Sequence, residues 1–233
     1  MPRNQTPNAA ADPAHTLLAG EPDLGLVTLD GQLRVLAANP AARRIYLPAS
    51  RSGEPLEGRA LGELFPDPFG DEVQRLRGLH QDHGGPLLVR GIWRGHRVHT
   101  SVHAQPGGGL LLLGRWGDPG GPEEVPTAHL RVDSEVIDLG ELSAITPREL
   151  EVLALLGTGG TLKDAAATLR RSMKTVESHR DNIARKLGLS RRGELVRVVE
   201  RSGLRPSDVG LTRLNLDGPA PRASELGAAA QNS

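Results

Sequence analysis

The chain has 233 residues, no cysteine, two Trp, one Tyr and two Phe, and 28 Lys+Arg offset by 28 Asp+Glu. Without thiols there can be no thiol redox switch, flavin–cysteinyl adduct or Cys-bearing zinc site, and so few aromatic rings argue against stacking on single-stranded nucleic acid. The lack of cysteine fits the cytoplasm, no apolar run in residues 1–20 is long enough for a signal peptide or a membrane span, and the length suits about two domains.

Residues 1–20, rich in Ala, Pro, Asn and Thr without periodicity, read as a disordered arm. From Leu24, LGLVTL and QLRVLAAN flank Asp30-Gly31 and predict a β-hairpin. Asn39 and Pro40 then supply the cap and first turn of a helix over AARRIYL. GRALGELFP predicts a short helical piece. Asp71 to His80 predicts a longer helix with Val73, Leu76 and Leu79 facing inward. Strands return in PLLVRGIWRG and HRVHTSVHAQ, joined at Arg94-Gly95, and in LLLLGRW after a Pro106 to Gly109 turn.

These residues fit a small α+β domain. Two strands, small helices and three strands, together with the VTLDGQLRVLAANPAA and GRALGELFP stretches, resemble a PAS domain over residues 21–116. The resemblance implies an antiparallel sheet with helices, serving as a sensor or a dimerisation surface. A pocket between sheet and helices could hold an unidentified small ligand, though no cofactor is expected. His96, His99 and His103 do not make a metal site, because four strand residues separate His99 from His103 by about 13 Å, and they read as exposed strand histidines. Asp30 precedes a hairpin glycine, and alternating strand–helix units are lacking, so a phosphoacceptor receiver domain is not indicated. GDPGGP, from Gly117, has no phosphate-loop lysine and begins a linker over 117–140, whose PTAHLRVDSEVIDLG could form a short coupling strand or helix.

Thr146, Pro147 and Glu149 are a cap, a first-turn proline and an acidic first turn, and Leu150, Leu153 and Leu156 follow at helical spacing before Gly157, Gly159 and Gly160. Thr161 caps a second helix with Ala165, Ala166 and Leu169 inward. Ser172 caps a third, in which Val176, Ile183 and Leu187 face inward and Gly188 ends the helix. A fourth, from about Ser190 to Ser202, carries the apolar seam Leu195, Val196 and Val199, which could pack at home or against a second copy. Leu142 to Gly203 holds 12 Lys+Arg against 7 Asp+Glu and the remainder 16 against 21, an asymmetry hidden by the neutral total. After Leu204, Pro206, Pro219, Pro221 and AAAQNS suggest a disordered tail over 204–233.

Over 141–203 the chain resembles the LuxR-type helix-turn-helix. Thr146, Arg148, Glu149, Glu151, Val152 and Leu153, then Gly159, then Lys174, Thr175, Val176, His179, Asn182, Ile183, Arg185, Lys186, Leu187 and Gly188 match its pattern without a gap. Leu162, Ala165 and Arg170 depart from it, standing where a polar residue, a larger aliphatic and a frequent turn glycine are expected. The resemblance implies an all-α four-helix module whose third helix enters the major groove of double-stranded DNA and whose fourth mediates a homodimer through Leu195, Val196 and Val199. Glu177, Ser178 and Asp181 then face base edges, with Arg180 on a guanine or a phosphate. Thr161, Lys174, Thr175, His179 and Lys186 are expected at phosphates, His179 being packed on the Val176 side of its helix.

The expected function is therefore a non-enzymatic transcription regulator, since no nucleophile, acid–base pair or metal set stands at a credible spacing. The alternative is a protein-interaction module that docks its helix-turn-helix on another protein, RNA polymerase among the candidates.

Overall fold

The computed structural model describes residues 20–51, 53–65, 68–117, 129–189 and 192–214, with 18 and 216 singly. Nearly all of the expected arm, residues 118–128 of the expected linker, the start of the expected fourth helix at Ser190 and the chain end from 217 lie outside the described residues.

The hairpin predicted around Asp30 joins β1 (Gly25–Leu29) to β2 (Val35–Ala38). The Asp30 carboxylate accepts from the amides of Gln32 (2.8 Å) and Arg34 (2.9 Å), and Leu33, not Gly31, takes the positive φ of 60°. Asn39 caps α1 (Pro40–Tyr46): its Oδ1 accepts from the Ala42 amide at 2.8 Å, and also from the Leu26 amide of β1 at 2.9 Å. One side chain thus starts the helix and ties it to the sheet. α2 (Leu61–Leu64) and α3 (Phe69–His83) follow, and α3 stops at left-handed Gly84.

β3 (Leu87–Trp93), β4 (His96–Ala104) and β5 (Leu110–Trp116) complete an antiparallel sheet in the order β2-β1-β5-β4-β3. Arg94 and Gly95, with φ of 52° and 74°, form the expected tight β3–β4 turn. Val27, Leu29, Val35, Ile45, Leu64, Phe65 and Trp93 fill the core between the sheet and the three helices. His99 departs from the expectation of an exposed strand histidine, being only 6% exposed on β4. Among the described residues, no group of three or more His, Cys, Asp or Glu could hold a metal ion, and no helix is long and apolar enough to cross a membrane.

At the junction the strand alternative is found for the second half of the expected linker, and the expected tail is corrected. The part of 117–140 that follows residue 128 is sheet: β6 (Leu130–Asp133) pairs parallel with β3, and β7 (Val136–Asp138) follows at once. The residues after Leu204 fold back as a 3-10 turn at Pro206–Asp208 and β8 (Thr212–Leu214), which pairs parallel with β7. The reason is apolar burial. Val136 and Leu214 enter the amino-terminal core with Leu216, while Ile137 between them enters the carboxyl-terminal one, the alternation of a strand seated between two cores. Leu204, Leu214 and Leu216 are at most 5% exposed, so 204–214 and Leu216 are part of the folded body and not a loose tail.

The remaining helices are α4 (Pro147–Gly157), α5 (Leu162–Thr168), α6 (Met173–Lys186) and α7 (Arg192–Ser202). They share a core with Ile92 of β3, and with Ile137, Leu139 and Leu142 from the segment that leads into α4.

Candidate nucleic-acid interface

Each of the first three of these helices starts on a side-chain cap. Thr146 accepts from the Glu149 amide and Thr161 from the Asp164 amide, both in reciprocal capping boxes, and Ser172 accepts from the Thr175 amide at 3.1 Å. Leu150, Leu153, Ala165, Ala166, Val176 and Ile183 are at most 6% exposed and hold α4, α5 and α6 together. Ala165, smaller than the aliphatic expected there, is 1% exposed, with Leu162 and Leu169 packed against the same core. α6 is thereby anchored along one side.

Its other side is polar. Lys174, Ser178, Asp181 and Arg185 are all exposed, and their spacings of four, three and four place them on one stripe opposite Val176 and Ile183. Ser178 and Asp181, expected at base edges, stand on this stripe. Glu177 is half-buried on its flank. Arg180 is also half-buried, and its guanidinium donates to its neighbour Asp181 at 2.7 and 3.0 Å. The Ser178 hydroxyl donates back to the Lys174 carbonyl at 3.0 Å.

The residues expected at phosphates divide. Thr161 and Lys174 are exposed, Thr175 is half-buried with its hydroxyl 2.8 Å from that of Ser172, and His179 is half-buried on the core side of the helix. Lys186 has another partner in the structure: its ammonium lies 2.7 Å from Glu149 Oε2, joining the end of α6 to the start of α4. Burial pushes the Glu149 carboxyl up, but the hydrogen bond from Lys186 and those from the Thr146 amide and hydroxyl outweigh it, so the group sits below its ordinary value. Lys186 therefore braces the fold first.

The apolar seam of α7 divides too. Leu195 and Val199 are 8% and 6% exposed within their own chain, because Val199 packs on Gly157 of α4 and both residues belong to the shared core. Val196 alone faces outward, 54% exposed. The seam was legible, but what covers it was not: an apolar stripe does not say whether its cover is its own chain or another.

Arg170 and Arg171, both exposed in the turn between α5 and α6, and Arg185 on the stripe are cations that the motif left without a site role. Charge at the entry and exit of α6 was the available signal. Arg170 takes a φ of 50°, the left-handed conformation suited to the glycine it replaces.

Residues 143–199 match the model of the family described as bacterial regulatory proteins, luxR family, so the carboxyl-terminal helices form a domain of that type. The transcriptional regulatory protein TdiR of Thauera aromatica is 40% identical over 80 residues, 34% of this chain and 34% of that protein. The uncharacterized response regulatory protein YgeK of Escherichia coli is 34% identical over 89 residues, 35% of this chain and 60% of that one. The chain thus spans about a third and about three fifths of the lengths of these two relatives. Among solved structures, a Vibrio cholera VqmA–ligand–DNA complex aligns over 87% of this chain and 92% of that one, at 20% identity and a TM-score of 0.45.

Proposed function

We propose that the chain, carrying a luxR-type domain at its carboxyl end, is a cytoplasmic transcription regulator that binds sequence-specific sites on double-stranded DNA as a homodimer. The observation that carries this reading is the α6 stripe. Lys174, Ser178, Asp181 and Arg185 stand exposed on a helix whose opposite side is locked by Val176 and Ile183, so the helix can be presented to a major groove as a rigid body. Ser178, Asp181 and Glu177 read base edges, while Lys174, Thr161 and the cations Arg170 and Arg171 hold phosphates. Arg180 exchanges Asp181 for DNA at little cost, because an exposed ion pair stabilises a fold by only about 0–1 kcal/mol.

One such domain makes few phosphate contacts, so useful affinity requires two on paired half-sites. Val196 on α7 supplies part of the contact between copies. The amino-terminal domain, whose antiparallel order β2-β1-β5-β4-β3 with helices between β2 and β3 supports the PAS-like reading, sets the spacing or population of the two reading helices.

Selection of duplexes from a random pool by the full chain tests this: a palindromic consensus is expected, with affinity falling steeply between low and moderate salt. Lys174→Ala should weaken all duplexes alike and lower the salt slope by about one, while Ser178→Ala or Asp181→Ala should change base preference. No enriched sequence, or binding indifferent to salt, would instead favour a protein-docking role, with RNA polymerase the first partner to try.

A further inference from the structure

The first residue of α6 breaks the polar character of its exposed side. Met173 is 49% exposed, whereas Val176 and Ile183, the other large aliphatic residues of this helix, are fully buried. Arg170, Arg171 and Ser172 before it and Lys174 after it are all exposed, so one apolar side chain stands within a run of polar ones.

Met173 plays no part in starting the helix. That role belongs to Ser172, whose hydroxyl accepts from the Thr175 amide at 3.1 Å. A hydrophobic staple would join the residue before the cap to the fourth helical residue, here Arg171 and Val176, and Met173 is neither. Glu177 and Arg180 follow it by four and seven residues, so Met173 begins the flank on which Glu177 stands, one turn nearer the helix start. The Cα–Cβ bonds of a helix tilt toward its amino end, which directs this side chain toward the turn that bears Arg170 and Arg171.

When a reading helix enters the major groove, its amino-terminal residues meet the base edges. Arg170, Arg171 and Lys174, seated on phosphates, would hold Met173 at the edges between them. Those edges present ring nitrogens, carbonyl oxygens and amino groups, and one apolar group, the C5 methyl of thymine. A thioether side chain pressed on a polar edge strips its water and returns at most the weak acceptor of its sulfur. Pressed on the methyl, two apolar surfaces leave water together, and the rotatable bonds of methionine let it follow the position of the methyl.

We propose that Met173 is a specificity-determining residue that packs on the C5 methyl of a thymine in each half-site. The contact rests on duplex binding by α6, and it adds to the polar readers an apolar one that distinguishes thymine from cytosine.

The chain's two methionines are Met1 and Met173, so the full chain labelled with carbon-13 at the methionine methyl gives two signals, and Met173→Leu identifies the second. On addition of the duplex that the chain selects from a random pool, the Met173 signal should shift and show cross-relaxation with a thymine methyl. Replacing the thymines of one half-site in turn by deoxyuridine deletes a methyl and nothing else. One replacement should weaken binding by the unsubstituted chain about fourfold, the weight of one methyl taken out of water. Met173→Ala should bind that duplex and its parent equally, while Met173→Leu keeps most of the discrimination. Alanine is the better helix former, so Met173→Ala should keep the urea midpoint of the parent; if the midpoint falls, the labelled unsubstituted chain and Met173→Leu decide. A chain that enriches no duplex defeats the DNA reading and this contact with it. Selective binding to a consensus without thymine, an unmoved Met173 signal, or equal losses on uracil substitution for the unsubstituted chain and Met173→Ala overturns the contact alone and leaves the reading standing.

Discussion

The polar stripe of α6 and the junction around β4 use similar side chains and differ in where their hydrogen bonds lead. Along the exposed side of α6 they stay within four residues, from Ser178 to Lys174, from Arg180 to Asp181 and between Ser172 and Thr175. At the junction they span the chain. The Arg97 guanidinium donates to Asp208 Oδ2 at 2.5 Å and to the Gly203 carbonyl at 2.7 Å, across 111 and 106 residues. The Asp138 carboxylate accepts from the Arg94 amide at 3.0 Å, across 44 residues, and locally from the Gly140 amide at 3.1 Å. Gly95 and Gly140 admit a close backbone approach there: a Cβ on Gly95 would lie 2.7 Å from the Leu139 carbonyl oxygen, and one on Gly140 2.7 Å from the Arg94 carbonyl carbon. Short-range bonds on an exposed helix can be traded for a ligand while the helix stands. Long-range buried ones cannot be traded without parting the two cores, so the exposed stripe is expendable in its pairings and the frame behind it is not.

The largest effect should follow from cutting the frame. Arg97 and Asp208 have side chains 5% and 8% exposed, so Asp208→Ala leaves a buried guanidinium whose remaining acceptor among the described residues is the Gly203 carbonyl, and should cost about 3–5 kcal/mol. Denaturant unfolding followed at Trp93 and by helix content should show a lower midpoint and a split into two transitions. A loss below about 1 kcal/mol would mean that the junction is no more committed than the α6 stripe, since that is the scale of an exposed pair.

Glu149 lies between the two kinds of region. It closes a capping box with Thr146 and reaches 37 residues along the chain to Lys186. Glu149→Gln should cost about 1–2 kcal/mol. The sign with pH follows from the direction of the shift: a carboxyl lowered in the folded state adds stability that is present above its ordinary value of 4.5 and is lost as pH falls through the lower native value. Unfolding measured from neutrality down to acid should therefore show a decline below about pH 4.5 that Glu149→Gln makes shallower. The same variant sorts the roles of Lys186. If Lys186→Ala and Glu149→Gln weaken duplex binding equally, Lys186 acts by bracing α6; a larger loss for Lys186→Ala adds a phosphate contact.

What could be read beforehand follows the same division. Asn39, Thr146, Thr161 and Ser172 cap the helices they were expected to cap, and Val176 and Ile183 face inward, because caps and helical stripes are written within a turn or two of sequence. β7 and β8 are three residues each, and Val136 pairs in parallel with Thr212, far along the chain. Neither segment is long enough to show a period, and parallel pairing leaves no turn to mark it. The prolines at 206, 219 and 221 then made residues 204–216 read as tail although Leu214 and Leu216 are buried. Leu195, Val199 and Lys186 were legible as types but not as contacts, since their covers and partners lie elsewhere in the chain.

The smallest effect concerns how α5 and α6 end. Both close on paired backbone bonds: Arg170 N to the Ala167 carbonyl and Arg171 N to the Ala166 carbonyl after α5, and Gly188 N to the Arg185 carbonyl and Leu189 N to the Ala184 carbonyl after α6. The geometry is shared, but the left-handed residue is a glycine after α6, with φ 66°, and an arginine after α5, with φ 50°. A side chain in that conformation costs about 1–2 kcal/mol, of which the extra freedom of glycine in the unfolded chain returns part. Arg170→Gly should therefore stabilise the domain by about 0.5–1 kcal/mol, read as a higher urea midpoint at unchanged slope. Arg170→Ala keeps the strain and should gain nothing, which separates backbone relief from removal of charge. If both variants lower the salt dependence of duplex binding by about one ion while only the glycine raises the midpoint, the arginine stands in a strained turn because its charge is used on DNA. If neither alters binding, the strain is retained without a return at the interface, and the phosphate role falls to Lys174 and Arg171.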